Sequence, residues 1–560
     1  MLFALPWTIP FFGQVTTFDV RSFKALTGGI LVCLAVGGIL LFLGRKAVLF
    51  DIFSDKNNNQ ARPYNPDDMY DDSPKETPKA SSTVPRREAI AIVGLSWILA
   101  GILGMLPFWF AQVARDDSKE PQIPTSAVDY LFESFSGVTG FGATVFNNLE
   151  NPEYMPKAIL FWRSELHFLG GLGIMVLFVA ILGGQSAGKS LMQTEMPRSS
   201  NEIIFAQARN TAMALLTVYL VLNTVLFILL IIEGMSIYDA LCHAFSCVAT
   251  GGFSTRDHSI AHYNSFWIEL TIAIFMFISS CNFALLYLAL TWEKKRIDLI
   301  SSSDNGRVKT EFGIFKLLNN TEFRVFVGIL LIATVFVSGS CWIKGDFAAD
   351  KNAQTLTWSS LCDSVRYGGF QVLTIVSSAG FSSYDYEKWN DMSRVVLFIL
   401  MFCGGCVGST TCGLKTMRLI VLWKTLVIEI ERVFRPNVVR AMFIQGKPVD
   451  DSDELRRSVL SYFALYIIIF VVACTLLVAV EPSTTWTDRK LSTNDQMYDT
   501  VTAVATAYNC VGPSFGITGS SGNFGVFHAP AKMIYIVLML LGRLELYILI
   551  VFFYPSFWKG

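Results

Sequence analysis

Charge is scarce in this chain of 560 residues: Asp, Glu, Lys and Arg make up 16% of it, against 52% hydrophobic residues. With a mean hydropathy of +0.47, the composition belongs in a membrane, because a soluble fold of this length needs far more polar surface. The net charge is −1 and no basic face is interleaved with aromatics, which argues against a nucleic-acid binder. Long hydrophilic stretches are missing too, leaving no room for a catalytic domain or a regulatory domain. Most of the 11 cysteines lie in or beside apolar runs, where small polarizable side chains pack well, so no extracellular disulfide framework is expected. Only Cys341 and Cys362 remain as an open pair. The opening run MLFALPWTIPFFG lacks a basic n-region and a small-residue cleavage site. It reads as a short or distorted first membrane segment rather than a signal peptide.

What is present is a polar, glycine-centred loop that occurs four times, each time after a short amphipathic run. The runs from Asp129, Tyr238, Asp363 and Tyr498 lead into Thr139-Gly140-Phe141-Gly142, Val248-Ala249-Thr250-Gly251, Ser377-Ser378-Ala379-Gly380 and Asn509-Cys510-Val511-Gly512. A helix of roughly a dozen residues is too short for a bilayer, which needs about 20, so each run is expected to dip in and turn back. Irregular backbone at membrane depth is tolerated only inside protein or along a water-filled cavity, so four such loops imply a pore. With Gly142, Gly251, Gly380 and Gly512 taken as equivalents, the spacings are 109, 129 and 132 residues, as in an internally repeated membrane protein. Four loops on one axis would offer a ring of carbonyl oxygens in place of an ion's hydration shell. Glycine keeps side-chain bulk out of the narrow point. The loops contain no acid, and the negative ends of the dipping helices would supply the attraction.

The expected fold is an all-α polytopic membrane protein, with four pseudo-symmetric helix–pore-loop–helix repeats around one central pore and an N-terminal membrane hairpin. The boundaries read as membrane segments in 1–50, a disordered cytoplasmic linker in 51–87 and repeats at 88–190, 191–300, 301–450 and 451–560. The linker is rich in Asp, Asn, Pro, Ser and Lys and cannot bury enough apolar surface to offset its ordering entropy. Continuous spans are expected at 25–44, 89–113, 158–182, 212–232, 266–289, 323–342, 459–480 and 533–553. Lys and Arg concentrate between Glu293 and Arg324 and between Lys415 and Arg457, so those connections are cytoplasmic and all four loops enter from outside.

The second span of the third repeat is broken at Gly404-Gly405-Cys406-Val407-Gly408-Ser409-Thr410-Thr411-Cys412-Gly413, before Leu414-Lys415. Its glycines alternate with hydroxyl residues instead of recurring every fourth position, which favours an unwound segment over small-residue helix packing. Arg543 sits in the apolar run LMLLGRLELYILIVFF, where a charge needs water, an acid or a pore. Glu545 is too near in sequence to share its helix face, so a partner from another element is expected. Other features read as structural. Gly183–Ser190 has the spacing of a phosphate loop but follows a membrane helix without an α/β domain, which disfavours a nucleotide-binding ATPase. Cys403 and Cys406 read as part of a packed break, His167 and His243 as packing residues, and Glu165 as a local partner of Arg163.

LFESFSGVTGFGATVF, DALCHAFSCVATGGFST, FQVLTIVSSAGFSS and AVATAYNCVGPSFG, in this order, resemble the Trk/Ktr/HKT superfamily of potassium transporters, nearest its bacterial TrkH-type branch. FWRSELHFLGGLGIMVLFVAIL, GGCVGSTTCGLKTMR and LMLLGRLELYILIVFF extend the likeness over about residues 88 to 559, with weaker similarity from about residue 21. The resemblance implies a potassium uptake protein of the bacterial inner membrane that is no enzyme and binds no organic cofactor. It makes the four quartets above the filter for K+, and Gly404, Gly405, Gly408, Ser409, Thr410, Gly413, Lys415 and Arg543 the gate beneath it. Glycine at Gly142 implies potassium over sodium, while Thr139-Gly140-Phe141-Gly142 departs from the threonine-rich TTTG form; a Na+-permeable or Na+/H+-coupled transporter of the same fold is the alternative. It also implies a homodimer in the lipid bilayer and a cytoplasmic ring of nucleotide-binding regulatory subunits, with contacts expected at Arg307–Glu322 and Arg432–Arg457.

Overall fold

The computed structural model describes residues 1–9, 18–58, 86–115, 125–183, 208–290, 317–347, 357–436, 442–444, 447–448, 452–487 and 493–558. Among these the architecture is helical. Among the described residues the only strands are the two-residue antiparallel pair β1 (Phe443–Ile444) and β2 (Lys447–Pro448).

Leaving aside the four-residue turns Thr484–Thr487 and Pro555–Trp558, the α-helices in chain order are α1 (Val20–Asn58), α2 (Arg86–Gly104), α3 (Leu106–Phe110), α4 (Ala127–Thr139), α5 (Lys157–Gly183), α6 (Ala208–Ile232), α7 (Ile237–Val248), α8 (Phe266–Ser279) and α9 (Phe283–Leu290). They continue with α10 (Thr321–Lys344), α11 (Trp358–Val376), α12 (Asp391–Leu400), α13 (Thr416–Phe434), α14 (Ser452–Val480), α15 (Thr493–Asn509), α16 (Ala529–Leu544) and α17 (Leu546–Ile550). Val20–Gly44, Ile90–Phe110, Met213–Ile232, Thr321–Lys344 and Asp453–Val480 are long and apolar enough to cross a membrane. Their outward faces carry exposed Leu331, Ile332 and Val335 on α10 and Ile467, Ile468 and Val471 on α14. Stripes of that kind suit contact with lipid rather than water.

α4, α7, α11 and α15 converge on the interior, and the N-termini of the first three are capped by short polar side chains. The Ser236 hydroxyl accepts from the Asp239 amide, the Thr357 hydroxyl from the Ser360 amide, and Ser126 forms a capping box with Asp129. α4 and α7 have the expected dozen or so residues, at 13 and 12, whereas α11 and α15 run to 19 and 17. The extra turns, beginning Trp358-Ser359-Ser360 and Thr493-Asn494-Asp495, are too polar for the amphipathic pattern to register them.

Several boundaries differ from the sequence reading. Leu2–Thr8 forms a 3₁₀ helix too short to cross a bilayer, with Trp7 against Phe161 and Tyr238 of α5 and α7. α1 continues through Asn58, so the first eight residues of the expected linker are helical; at 1.5 Å per residue α1 is roughly 58 Å long, well beyond a bilayer's apolar thickness. Residues 59–85 of that linker lie outside the described residues, as do 184–190 of the phosphate-loop look-alike. The expected spans at 266–289 and 533–553 are each interrupted, at Ser280–Asn282 and at Glu545, whose φ is 65°. Cys341 and Cys362 are both free thiols: Cys341 is buried with its Sγ 3.3 Å from the Ser393 hydroxyl, and Cys362 is exposed.

Candidate functional site

All four inward helices end in the same turn. The amides of Gly140, Thr250, Ser378 and Cys510 donate to the carbonyls of Gly137, Cys247, Ile375 and Ala507. The next amides, Phe141, Gly251, Ala379 and Val511, reach back five residues to the carbonyls of Ser136, Ser246, Thr374 and Thr506 at 2.9, 2.8, 2.9 and 3.0 Å. This is the Schellman pattern, which needs a left-handed residue at its centre. Gly140, Thr250, Ser378 and Cys510 take that conformation at φ 71°, 53°, 49° and 49°. Three of the four are not glycine and hold a conformation that costs of order 1 kcal/mol each, as strained functional loops do.

A second left-handed residue follows two positions later, at Gly142, Gly252, Gly380 and Gly512, with φ of 79°, 80°, 75° and 104°. The second loop is therefore one residue out of the expected register. Ala249-Thr250-Gly251-Gly252, rather than Val248 to Gly251, matches Thr139 to Gly142, Ser377 to Gly380 and Asn509 to Gly512.

These glycines close the loops on one another in cyclic order. A β-carbon on Gly142 would lie 1.8 Å from the carbonyl oxygen of Gly251; on Gly252, 2.0 Å from that of Ala379; on Gly380, 2.5 Å from that of Val511; and on Gly512, 3.0 Å from that of Phe141. Each loop thus abuts the next, and the fourth returns to the first. Phe141 fits because its side chain turns outward, buried against Phe132 and Phe524 at centroid distances of 6.3 and 5.4 Å.

A second layer fixes the turns. Glu133 of α4 receives Arg163 Nε at 2.6 Å, the Val145 amide at 3.0 Å and the Thr144 hydroxyl, all behind the first loop. The Arg163 guanidinium lies 3.9 Å from the Phe253 ring centroid, which joins the first loop's support to the second's. Arg163 therefore does not pair with Glu165, which instead takes the amino group of Met1 at 3.1 Å. His167 stacks on Phe253 at 4.1 Å and contacts the Ser246 hydroxyl, and His243 bridges the Asp239 carbonyl and the Ser254 hydroxyl. On the outer side, Tyr386 donates to the Ser514 carbonyl at 2.6 Å, and the Gly516 amide donates to Glu387 at 2.9 Å, tying the third loop to the fourth. Burial pushes the Glu387 carboxyl up to about 7, against the opposing pull of the Gly516 amide and Arg394.

Beneath the ring, Gly404–Gly413 is unwound between α12 and α13. Its base is closed by the Gly404 amide on the Leu414 carbonyl at 2.8 Å, and Gly408 and Gly413 adopt φ of 75° and 76°. Its edges dock into the break of the second repeat: the Cys406 amide donates to the Ser280 carbonyl and the Phe283 amide to the Gly408 carbonyl. That exchange is why α8 and α9 separate with no glycine or proline between them. The segment also reaches the inner end of each inward helix or the turn that follows it. The Thr410 hydroxyl donates to the Val248 carbonyl at 3.1 Å, the Cys412 amide to the Ser378 hydroxyl at 2.9 Å and the Cys412 thiol to the Thr139 carbonyl at 3.8 Å. A β-carbon on Gly413 would meet Asn509 Oδ1 at 3.1 Å. Ser409 Oγ bonds the Cys406 carbonyl, the Thr411 hydroxyl stands near Gly405, and Lys415 Nζ donates to the Thr411 carbonyl.

Arg543 is 3% exposed and donates to the Thr410 carbonyl at 2.6 Å and to the Gly170 carbonyl at 3.3 Å, with Cys412 Sγ at 3.2 Å. A β-carbon on Gly140 would stand 3.5 Å from the same guanidinium, so Arg543 lies between the first loop and the segment below. Its burial rules out snorkelling to the membrane surface. Glu545 pairs with Arg418 at 2.8 Å instead.

A family profile described as "TrkH: Cation transport protein" matches residues 73–559. The "Trk system potassium uptake protein TrkH" of Halomonas elongata is 32% identical over 477 residues, covering 84% of this chain and 86% of its own length. The "Trk system potassium uptake protein TrkG" of Escherichia coli is 30% identical over 489 residues, covering 86% and 88%. The crystal structure of the potassium transporter TrkH from Vibrio parahaemolyticus superposes with a TM-score of 0.67 at 27% identity, each chain covered fully.

Proposed function

Because the chain belongs to the TrkH family of cation transport proteins, we propose that this multi-pass membrane protein is the ion-conducting subunit of a potassium uptake system. The observation that carries the reading is the cyclic approach of Gly142, Gly252, Gly380 and Gly512 to the carbonyls of the neighbouring loops. Four repeats would then surround one pore, and the turns at Thr139–Gly142, Ala249–Gly252, Ser377–Gly380 and Asn509–Gly512 would line it with carbonyl oxygens. A potassium ion surrenders its water there to main-chain oxygen. α4, α7, α11 and α15 end at the ring, so their partially negative C-termini add to the attraction without any carboxylate.

Gly404–Gly413 is the gate in this reading. It meets the inner end of each inward helix or the turn after it, and Arg543 holds it there while placing a full positive charge below the filter. A resident cation is repelled by that charge, so conduction requires the segment and the guanidinium to part. The chain offers no covalent energy source, and the ion follows its electrochemical gradient. A homodimer, with a cytoplasmic nucleotide-binding regulatory ring on the stretches Arg307–Glu322 and Arg432–Arg457, completes the proposal.

Potassium uptake by cells that lack their own potassium transport tests the reading, with Gly142→Ser and Arg543→Ala as probes. Uptake by the native chain supports it; native protein in the membrane without cation uptake, with or without a regulatory subunit, overturns it.

A further inference from the structure

Neither the ring nor Arg543 uses the carboxylate of Glu322, at the start of α10. It stands in the helix's first turn and is 4% exposed. A carboxylate so deeply buried is costly unless hydrogen-bond donors or cations compensate it. Here the compensation comes from both limbs of a single loop. The Val407 amide donates to Glu322 Oε1 at 2.8 Å, from the limb that leaves α12. The backbone amide of Met417, on the limb that enters α13, and the charge of Lys415 both favour the ionised carboxylate. The free amides at the N-terminus of α10 favour an anion at this position as well.

The helix start that carries Glu322 is itself held. Asn320 caps it by accepting from the Phe323 amide, and Phe323 and Phe326 pack on Phe277 of α8 at 6.1 and 6.0 Å. Gly404–Gly413 therefore hangs between two anchors, Arg543 at the ring and Glu322 at the end of α10 that the charge distribution assigns to the cytoplasm.

We propose that Glu322 is the latch of the gate: a positioning residue whose carboxylate clamps both limbs of Gly404–Gly413, so that displacing the start of α10 releases the segment from the ring. The inference rests on the reading of Gly404–Gly413 as the gate. It deepens that reading by naming the place where force from the cytoplasmic side enters. α10 begins at Thr321, inside the basic connection from Glu293 to Arg324, so a partner bound to that connection acts on the latch through the first turn of the helix.

The test uses the full-length protein in liposomes, with single-channel recording, the potassium-to-sodium permeability ratio and the melting temperature as readouts. Glu322→Ala is expected to shorten the mean closed time by roughly tenfold or more, the effect of losing buried hydrogen bonds to a charged group, while the permeability ratio stays native. Glu322→Gln, which keeps one acceptor oxygen but no charge for Lys415, should fall in between. A merely structural role would lower the melting temperature and move the permeability ratio together with the closed time, and that result overturns the latch. Native closed times in both variants overturn it as well. If the alanine variant does not insert, Glu322→Gln decides alone. Native protein that passes no potassium defeats the conducting role itself, whereas native flux with unaltered variant gating defeats only the latch.

Discussion

The guanidinium of Arg543 donates to the Thr410 carbonyl at 2.6 Å, joining the last membrane helix to the segment beneath the ring. It is a bond between a full charge and a main-chain oxygen in a buried place, where both its strength and the cost of its loss exceed those in water.

Arg543→Ala removes that bond and leaves the Thr410 and Gly170 carbonyls without this donor, each worth about 1–3 kcal/mol of stability when buried. It also removes the positive charge from below the ring. Rubidium uptake is expected to rise severalfold while the melting temperature falls. Arg543→Lys keeps the charge and should leave uptake near the native level.

The register of the second loop separates two adjacent glycines. Gly252→Ala drives a β-carbon to 2.0 Å from the Ala379 carbonyl at φ 80°, a collision with backbone that no side chain can relieve, and should sharply lower potassium uptake. Gly251→Ala meets the His167 ring at 2.6 Å instead. Adding His167→Ala should restore measurable uptake to the Gly251 variant and none to the Gly252 variant, as ion flux in liposomes would read.

Phe141→Ala empties a site packed by Phe132 and Phe524 and should cost about 3–5 kcal/mol, against less than half of that for Phe141→Leu. Denaturation in detergent measures both. The potassium-to-sodium ratio should fall in the alanine variant, because the first loop loses its outward anchor.

Glu387 makes stability depend on pH. Its carboxyl titrates near 7 in the fold, above its usual value of 4.5, so between those values the folded protein binds the extra proton. Its contribution to stability is therefore greatest below about 4.5 and declines by up to roughly 3 kcal/mol as pH rises through 7, the ionised form being the disfavoured one. Arg394, Asp385 and Asp499 face the same carboxyl and are present in both forms. Glu387→Gln should flatten this part of a melting-temperature profile taken from pH 4 to 8.

Much of the site was legible because it rests on local chemistry. Glycine and hydroxyl residues at the ends of short amphipathic runs marked the four turns, the alternation of Gly404 to Gly413 marked the unwound segment, and Arg543 called for a remote partner, which Thr410 supplies. The rest depends on contacts between distant parts of the chain. Gly251 and Gly252 are equivalent by residue type, and only the hydrogen bond from the Gly251 amide to Ser246 shows which of them takes the left-handed angle. The break at Ser280–Asn282 contains no helix breaker; amide and carbonyl groups of Gly404–Gly413 impose it. Arg163 and Glu165, two residues apart, point to different sides of α5, and the true partner, Glu133, lies on α4.

Ion selectivity tests the central claim most directly. In liposomes holding the purified chain, the potassium-to-sodium permeability ratio should exceed unity, and Gly142→Ser, whose β-carbon would stand 1.8 Å from the Gly251 carbonyl, should drive it toward one. A native chain that does not favour potassium, or a ratio untouched by Gly142→Ser, would contradict coordination of the ion by this ring.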